Sequence, residues 1–185
     1  MSKGKMFVIS GCSGVGKNTV LGMMMKQRND LLFSVSATTR EPRPDEIDGV
    51  HYYFITPEKF QEMVAAGEFL EYDGHNDRFY GTPRAQALEK MERGIVLLDI
   101  EPKGARQVKD ATPDAVLIFI MPPSMEELER RLRGRGDTPE DQIIIRLERA
   151  VWEMEQSKLY DYIVVNDQVE ACAENLLNII AQGAQ

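Results

Sequence analysis

Four apolar runs recur along the chain without alternation: Met6 to Ser10, Ile95 to Ile100 (IVLLDI), Val116 to Met121 (VLIFIM) and Tyr162 to Val165 (YIVV). A strand with one wet face alternates apolar and polar side chains, whereas one covered on both faces stays apolar. These runs therefore predict buried strands of a parallel sheet. Between them the chain carries marked helix starts. Thr56-Pro57, Thr82-Pro83 and Thr138-Pro139 each set a capping hydroxyl before a proline whose fixed φ suits the first helical turn. Ser124 and Glu127 have the spacing of a capping box. Gly67, Gly94 and Gly134 then stand where helices over 57–66, 83–93 and 125–133 need a terminal residue in the left-handed region. Strands alternating with helices predict an α/β fold with right-handed crossovers.

Residues 34–82 break that rhythm. They carry shorter runs (FSVSA, HYYFI, FLEY), a polar proline-bearing loop from Thr38 to Gly49, and four of the six tyrosines. This composition predicts an inserted subdomain with antiparallel pairing. Residues 125–150 form a second distinct patch, helical and dense in charge. The Met23-Met24-Met25 run, Trp152 and the Leu and Ile positions of 169–180 are expected to serve core or helix packing, with no functional role.

Composition narrows the function classes. A chain of 185 residues supports one sizeable core with room for a subdomain. The net charge of −8 opposes general binding to nucleic acid or to an anionic membrane, because either would repel the whole molecule. Two cysteines, Cys12 and Cys172, fit a reducing compartment better than a disulfide framework. No apolar segment has the length of a signal peptide or a membrane span, so the expected location is cytoplasmic.

The stretch VISGCSGVGKNTVL places Gly11, four residues, then Gly16 and Lys17 directly after the first predicted strand and before a helical stretch. Glycines there let backbone N–H groups turn inward around phosphate oxygens, and a helix N-terminus adds its positive end. Lys17 is placed to reach β- and γ-phosphates. Asn18 takes the position where such a loop usually has a serine or threonine that contacts Mg2+. Its amide oxygen is a hard donor, though on a longer side chain. Cys12 sits inside the loop as a tolerated small residue, where the helix N-terminus would favour oxidation of its thiol.

The segments FSVSATTREPR, YYF, GEFLEY, FYGTP, LLDI, PPSMEELERRLRGRG and IVVND follow one another in the order and spacing of guanylate kinase, and the chain resembles that family from Met6 to about Ile180. The resemblance implies a three-layer P-loop core with a parallel sheet (1–33, 83–124 and 151–185), a small mixed-sheet GMP-binding subdomain (34–82) and a helical lid (125–150). It also implies Mg2+-dependent transfer of the γ-phosphoryl group of ATP to GMP, with no nucleic-acid or membrane partner. The ATP site it implies comprises the loop residues Gly11, Cys12, Ser13, Gly14, Val15, Gly16, Lys17, Asn18 and Thr19, together with Asn166. Glu71, Ser36 and Thr82 match the residues that read guanine. Thr82 also has the competing role of helix cap. Arg40, Arg43, Tyr52 and Tyr80 match the set that holds the GMP phosphate, and Asp99 the carboxylate that organises Arg40. Arg131, Arg135 and Arg146 match lid arginines that act with Lys17 in catalysis, whereas Arg130, Arg133 and Arg149 are expected on a solvent face. Two departures from the family pattern stand out. Asp45 replaces a glycine in the loop after Arg43, and Glu101 replaces an aspartate that would face the water shell of Mg2+. Two alternatives are a guanylate-kinase-like domain that binds phosphopeptides without catalysis, and a kinase for a ribose phosphate.

Overall fold

The protein, seen in a computed structural model, is described for residues 4–75, 78–134 and 139–183. In chain order the elements are β1 (Met6–Gly11), α1 (Lys17–Gln27), β2 (Leu31–Phe33), β3 (Ala37–Thr38), β4 (Tyr53–Phe54), α2 (Pro57–Ala65), β5 (Phe69–His75) and β6 (Arg78–Pro83). They continue with α3 (Arg84–Arg93), β7 (Ile95–Asp99), α4 (Pro102–Ala111), β8 (Val116–Met121), α5 (Met125–Arg133), α6 (Glu140–Gln156), β9 (Tyr162–Val165) and α7 (Val169–Gly183). One sheet has five strands in the order β2-β7-β1-β8-β9, and a second has four in the order β4-β3-β6-β5. The four apolar runs all form strands of the first sheet, so the α/β expectation holds. No helix among the described residues is long and apolar enough to cross a membrane.

The described residues group into two compact units, one drawn from 1–7 and 30–115, the other from 8–29 and 116–185. In the first unit β2 pairs in parallel with β7, Leu32 opposite Val96. The expected strand over 33–37 is split: Phe33 ends β2 and Ala37 opens β3, because Ser34 donates its N–H to Leu97 O whereas Ser36 O accepts from Tyr53 in the other sheet. That second sheet is mixed, since β3 runs parallel to β4 and antiparallel to β6. Its apolar face closes on Ala37, Phe60 and Phe69, with the two phenylalanine rings stacked at 4.5 Å. Phe60 belongs to α2, whose start follows the predicted rule: Thr56 Oγ1 accepts from the Lys59 N–H and Pro57 fills the first turn. Gly67 follows at φ +67°, the left-handed conformation its place requires.

Three other terminal assignments are corrected. Thr82 lies in β6, and α3 begins after Pro83 without a side-chain cap, so the hydroxyl is not an N-cap. Gly94 is extended at φ 161°, and Gly134 is right-handed at φ −64°. Neither uses the left-handed freedom of glycine. Ser124 does cap α5 by accepting from the Glu127 N–H at 3.2 Å. The Thr138 cap lies outside the described residues.

In the second unit β8 and β9 pair in parallel, Phe119 opposite Ile163. Cys12, Phe119, Leu128, Leu132, Ile143 and Ala150 form one of its buried clusters. Met24 of the methionine run is buried, as are Leu176 and Ile180 of α7, one helical turn apart. Trp152 is 40% exposed and so is not a core residue. Two residues beyond buried Ala150 the helix has turned by about 200°, away from the packed face.

Candidate active site

In the second unit β1 ends at Gly11 and α1 begins at Lys17, so the intervening loop turns within five residues. Gly14 and Gly16 make the turn at φ +89° and +93°, which side-chain-bearing residues rarely adopt. Their hydrogens also clear neighbours: a Cβ at 14 would meet Leu132 at 2.6 Å, and one at 16 would meet Asn166 Nδ2 at 2.7 Å. Beside the loop opens a cavity of about 560 Å³, lined by Gly14, Gly16, Thr19, Arg130, Arg131 and Asn166, among others. Lys17 opens the helix and is half-buried, while Ser13 and Asn18 are exposed.

Two residues distant in sequence organise the loop. Asn166, in the turn after β9, donates Nδ2–H to Val15 O at 2.8 Å, and its own N–H bonds to Met121 O. The Asn166 Oδ1 atom is buried and accepts from no protein group. Arg131 of α5 donates to Asn166 O at 2.9 Å and to Val15 O at 3.2 Å, so its guanidinium sits on the loop's backbone. Glu127, one turn earlier, accepts from Arg131 Nε at 2.7 Å and also pairs with Arg130. These two arginines hold the Glu127 carboxyl down at about 2. Glu127 was expected only as the capping-box partner of Ser124, although its spacing to Arg131 is the ordinary i,i+4 one.

Arg130 is exposed as expected, though it also borders the cavity, and Arg133 faces outward in pairs with Glu129 and Glu140. Arg149 pairs with Glu153, which is only 4% exposed, so it too departs from a free solvent face. Arg146 is half-buried on α6 and is not among the residues that line the cavity, and Arg135 lies outside the described residues. Cys12 is buried, and burial pushes its thiol up to about 12. That removes the suspected sensitivity to oxidation, because a thiol so hard to ionise is a poor nucleophile.

In the first unit β5 and β6 set Glu71 opposite Thr82. A register irregularity between Phe69 and Glu71 re-aims the strand just where the carboxylate begins. Glu71 is 5% exposed and Thr82 fully buried, and the Thr82 hydroxyl donates to Glu71 Oε1 at 2.6 Å. Burial raises the Glu71 carboxyl to about 7 against the lowering effect of the Thr82 bonds, with Asp73 and Glu101 adding repulsion. On its other side the carboxylate lies against α4 at Gly104, where a Cβ would overlap Oε2.

Arg40 gathers the second group. Both its terminal nitrogens donate to Glu46, each at 2.6 Å, and its Cζ lies 5.0 Å from the centre of the Tyr52 ring. Tyr52 in turn meets Tyr80 edge-on at 6.0 Å. The Glu46 pair keeps Arg40 protonated far above any physiological pH, with a smaller contribution from Tyr80. Glu46 also accepts the Arg43 N–H at 2.8 Å, and Glu46 N–H closes a turn onto Arg43 O. The turn around Asp45 therefore forms without the glycine usual in the resembled family. Glu46 was missed because no local spacing rule links loop residues six apart. Ser36 is half-buried between β2 and β3, Asp99 ends β7, and Glu101 is exposed just before α4.

Comparison with known proteins identifies the family. The family model for guanylate kinase matches residues 3–183. A guanylate kinase of Clostridioides difficile (strain 630) is 47% identical over 98% of this chain and 89% of its own length. One of Thermus thermophilus is 48% identical over 96% of this chain and 81% of its own. The crystal structure of guanylate kinase from Anaplasma phagocytophilum superposes with a TM-score of 0.82 at 33% identity, covering 100% of this chain and 88% of that one. With a family match across almost its whole length, the chain belongs to the guanylate kinase family.

Proposed function

We propose that the protein transfers the γ-phosphoryl group of ATP to the phosphate of GMP, giving ADP and GDP. The observation that carries the acceptor assignment is the buried Glu71 carboxylate, oriented by Thr82. Guanine presents two adjacent donors, N1–H and the 2-amino group, and a carboxylate accepts both. Adenine, cytosine and uracil lack that pair. Since the Thr82 hydroxyl has one hydrogen and directs it to Glu71, its role here is to fix the carboxylate. Ser36 is the remaining hydroxyl for guanine. Residues 34–82 act as the acceptor subdomain. Arg40 and Arg43, with the hydroxyls of Tyr52 and Tyr80, hold the GMP phosphate, for which a planar guanidinium is suited by its paired N–H groups. Asp99 supports Arg40.

On the donor side, the loop from Gly11 to Thr19 cradles the phosphates of ATP, and the unpartnered Asn166 Oδ1 accepts from adenine. Lys17, Arg131, Arg135 and Arg146 supply cations around the migrating phosphoryl group. Segment 125–150 serves as a lid that excludes water. No strong general base is required, because the acceptor is already a phosphate oxygen. Rate enhancement then rests on alignment and charge.

Among the described residues no cluster of three His, Cys, Asp or Glu forms a metal cage. This fits Mg2+, which keeps waters and takes its other ligands from nucleotide phosphates. Bound there, it would neutralise phosphate charge. Asn18 through its amide oxygen, and Glu101 through water, are the residues that would hold it. Substituting Asn18→Ser should lower the Mg2+ concentration for half-maximal rate, and an unaltered Mg2+ dependence together with unaltered kcat removes Asn18 as a contact. The activity itself is tested by a coupled assay with ATP, Mg2+ and GMP, AMP, UMP or CMP. Turnover confined to GMP is expected, and no turnover with any of the four overturns the proposal.

A further inference from the structure

The glycine at position 104 has no backbone reason to be there. It lies inside α4 with helical geometry and does not use a left-handed φ. In such a position glycine is a poorer helix former than alanine, because it loses more backbone freedom on folding. What its missing Cβ leaves room for is one side chain. The three atoms nearest to a Cβ built at 104 all belong to Glu71: Oε2, which it would overlap, Cδ at 3.0 Å and Cγ at 3.4 Å.

The surroundings determine how such a clash would resolve. One turn along the same face of α4, Gln107 bridges the backbone of Tyr72, the residue after Glu71. Its Nε2–H donates to Tyr72 O at 2.8 Å and its Oε1 accepts from Tyr72 N–H at 3.2 Å. Helix and strand are therefore tied together at the point of contact, and neither slides easily to make space. The free end of the Glu71 side chain is the part able to move, breaking its 2.6 Å bond from Thr82 as it goes.

We propose that Gly104 is a specificity-determining position, an opening on α4 that lets the Glu71 carboxylate occupy the buried place from which it reads guanine. The inference rests on the assignment of Glu71 as the guanine reader. Gly104 touches no substrate and acts only through that carboxylate.

The test uses the whole chain with Gly104→Ala and, in parallel, Glu71→Gln. Melting temperature is measured, and steady-state kinetics are run with ATP and either GMP or IMP, whose base keeps N1–H but lacks the 2-amino group. Gly104→Ala is expected to melt at or above the wild-type temperature and to keep KM for ATP within twofold. KM for GMP should rise at least tenfold with a smaller change in kcat, and the preference for GMP over IMP should fall at least tenfold. The pH midpoint of kcat/KM for GMP should also drop, because the displaced carboxylate is no longer buried. A folded Gly104→Ala protein with KM for GMP and the GMP/IMP ratio within twofold of wild type overturns the inference, while loss of GMP use in Glu71→Gln keeps the reader assignment. A protein that fails to fold overturns it too, since the backbone would then have taken the strain. If Glu71→Gln uses GMP like wild type, the reader assignment fails and the role of Gly104 falls with it.

Discussion

Burial opposes ionisation of the Glu71 carboxyl and raises it to about 7, with consequences of opposite sign for folding and for the proposed function. An unfolded glutamate titrates near 4.5, so between about 4.5 and 7 the folded chain binds a proton that the unfolded chain has released. The stabilising contribution of the protonated group is complete below 4.5 and is lost as pH rises through about 7, a loss of about 3 kcal/mol. Glutamine has the same shape and no such loss. Its oxygen still accepts from Thr82, but its amide presents a donor to one of guanine's donors. Glu71→Gln should therefore lower kcat/KM for GMP at least about a hundredfold, as a site left with mismatched polar groups does. The same variant should be more stable than wild type above pH 7, with the difference vanishing near pH 4.5. Denaturant melts at pH 5 and pH 8 check this. Equal stability differences at the two values would mean that Glu71 is not a buried, raised carboxyl.

At the scale of elements, two threonines before prolines show what the sequence conveys and what it withholds. Thr56 caps α2 as its spacing predicts, since capping depends on residues within one turn. Thr82 has the same local signature and sits in β6, because pairing with Glu71, eleven residues away, outcompetes the cap. Thr56→Ala should lower stability by about 1 kcal/mol and leave KM for GMP unchanged, whereas Thr82→Ala should raise KM for GMP by about an order of magnitude, the effect of one lost hydrogen bond to a charged group. Denaturation curves and acceptor kinetics on both variants separate the two roles. The same contrast runs through the rest of the fold. The four strands placed by apolar runs, the phosphate loop and the Ser124 cap were legible because each rests on contiguous runs or short spacings. Even so, β9 was expected to be buried and instead leaves Tyr162, Ile163 and Val165 exposed at the end of the strand order. The short strand β2 was not legible, since three residues carry no period and their pairing with β7 is long-range. Glu46 and Gly104 escaped for a related reason: one is defined by a loop closing on itself, the other by the side chain it leaves room for.

For the molecule as a whole, binding and protonation are linked through the stability of the folded chain. A ligand that binds only the folded state stabilises it by about 2.7 kcal/mol at a hundred times its Kd, or roughly 5–10 °C in melting temperature for a chain of this size. ATP and GMP should each produce a shift of this order. If Glu71 reads guanine as proposed, GMP binding requires its carboxylate ionised, and below about 7 the folded chain must first release that proton. The GMP-induced shift should therefore grow from pH 6 to pH 8 at fixed GMP concentration. The phosphate of GMP also titrates near pH 6, as phosphate monoesters do, and contributes a trend of its own. Glu71→Gln retains the phosphate contribution and lacks the carboxyl one, so it serves as the internal control at GMP concentrations raised to match its weaker binding. The pH dependence in wild type should exceed that in the variant, while the ATP-induced shift should change alike in both proteins. Parallel GMP curves for the two proteins would separate proton release at Glu71 from GMP binding, and the raised carboxyl would then be a feature of burial alone.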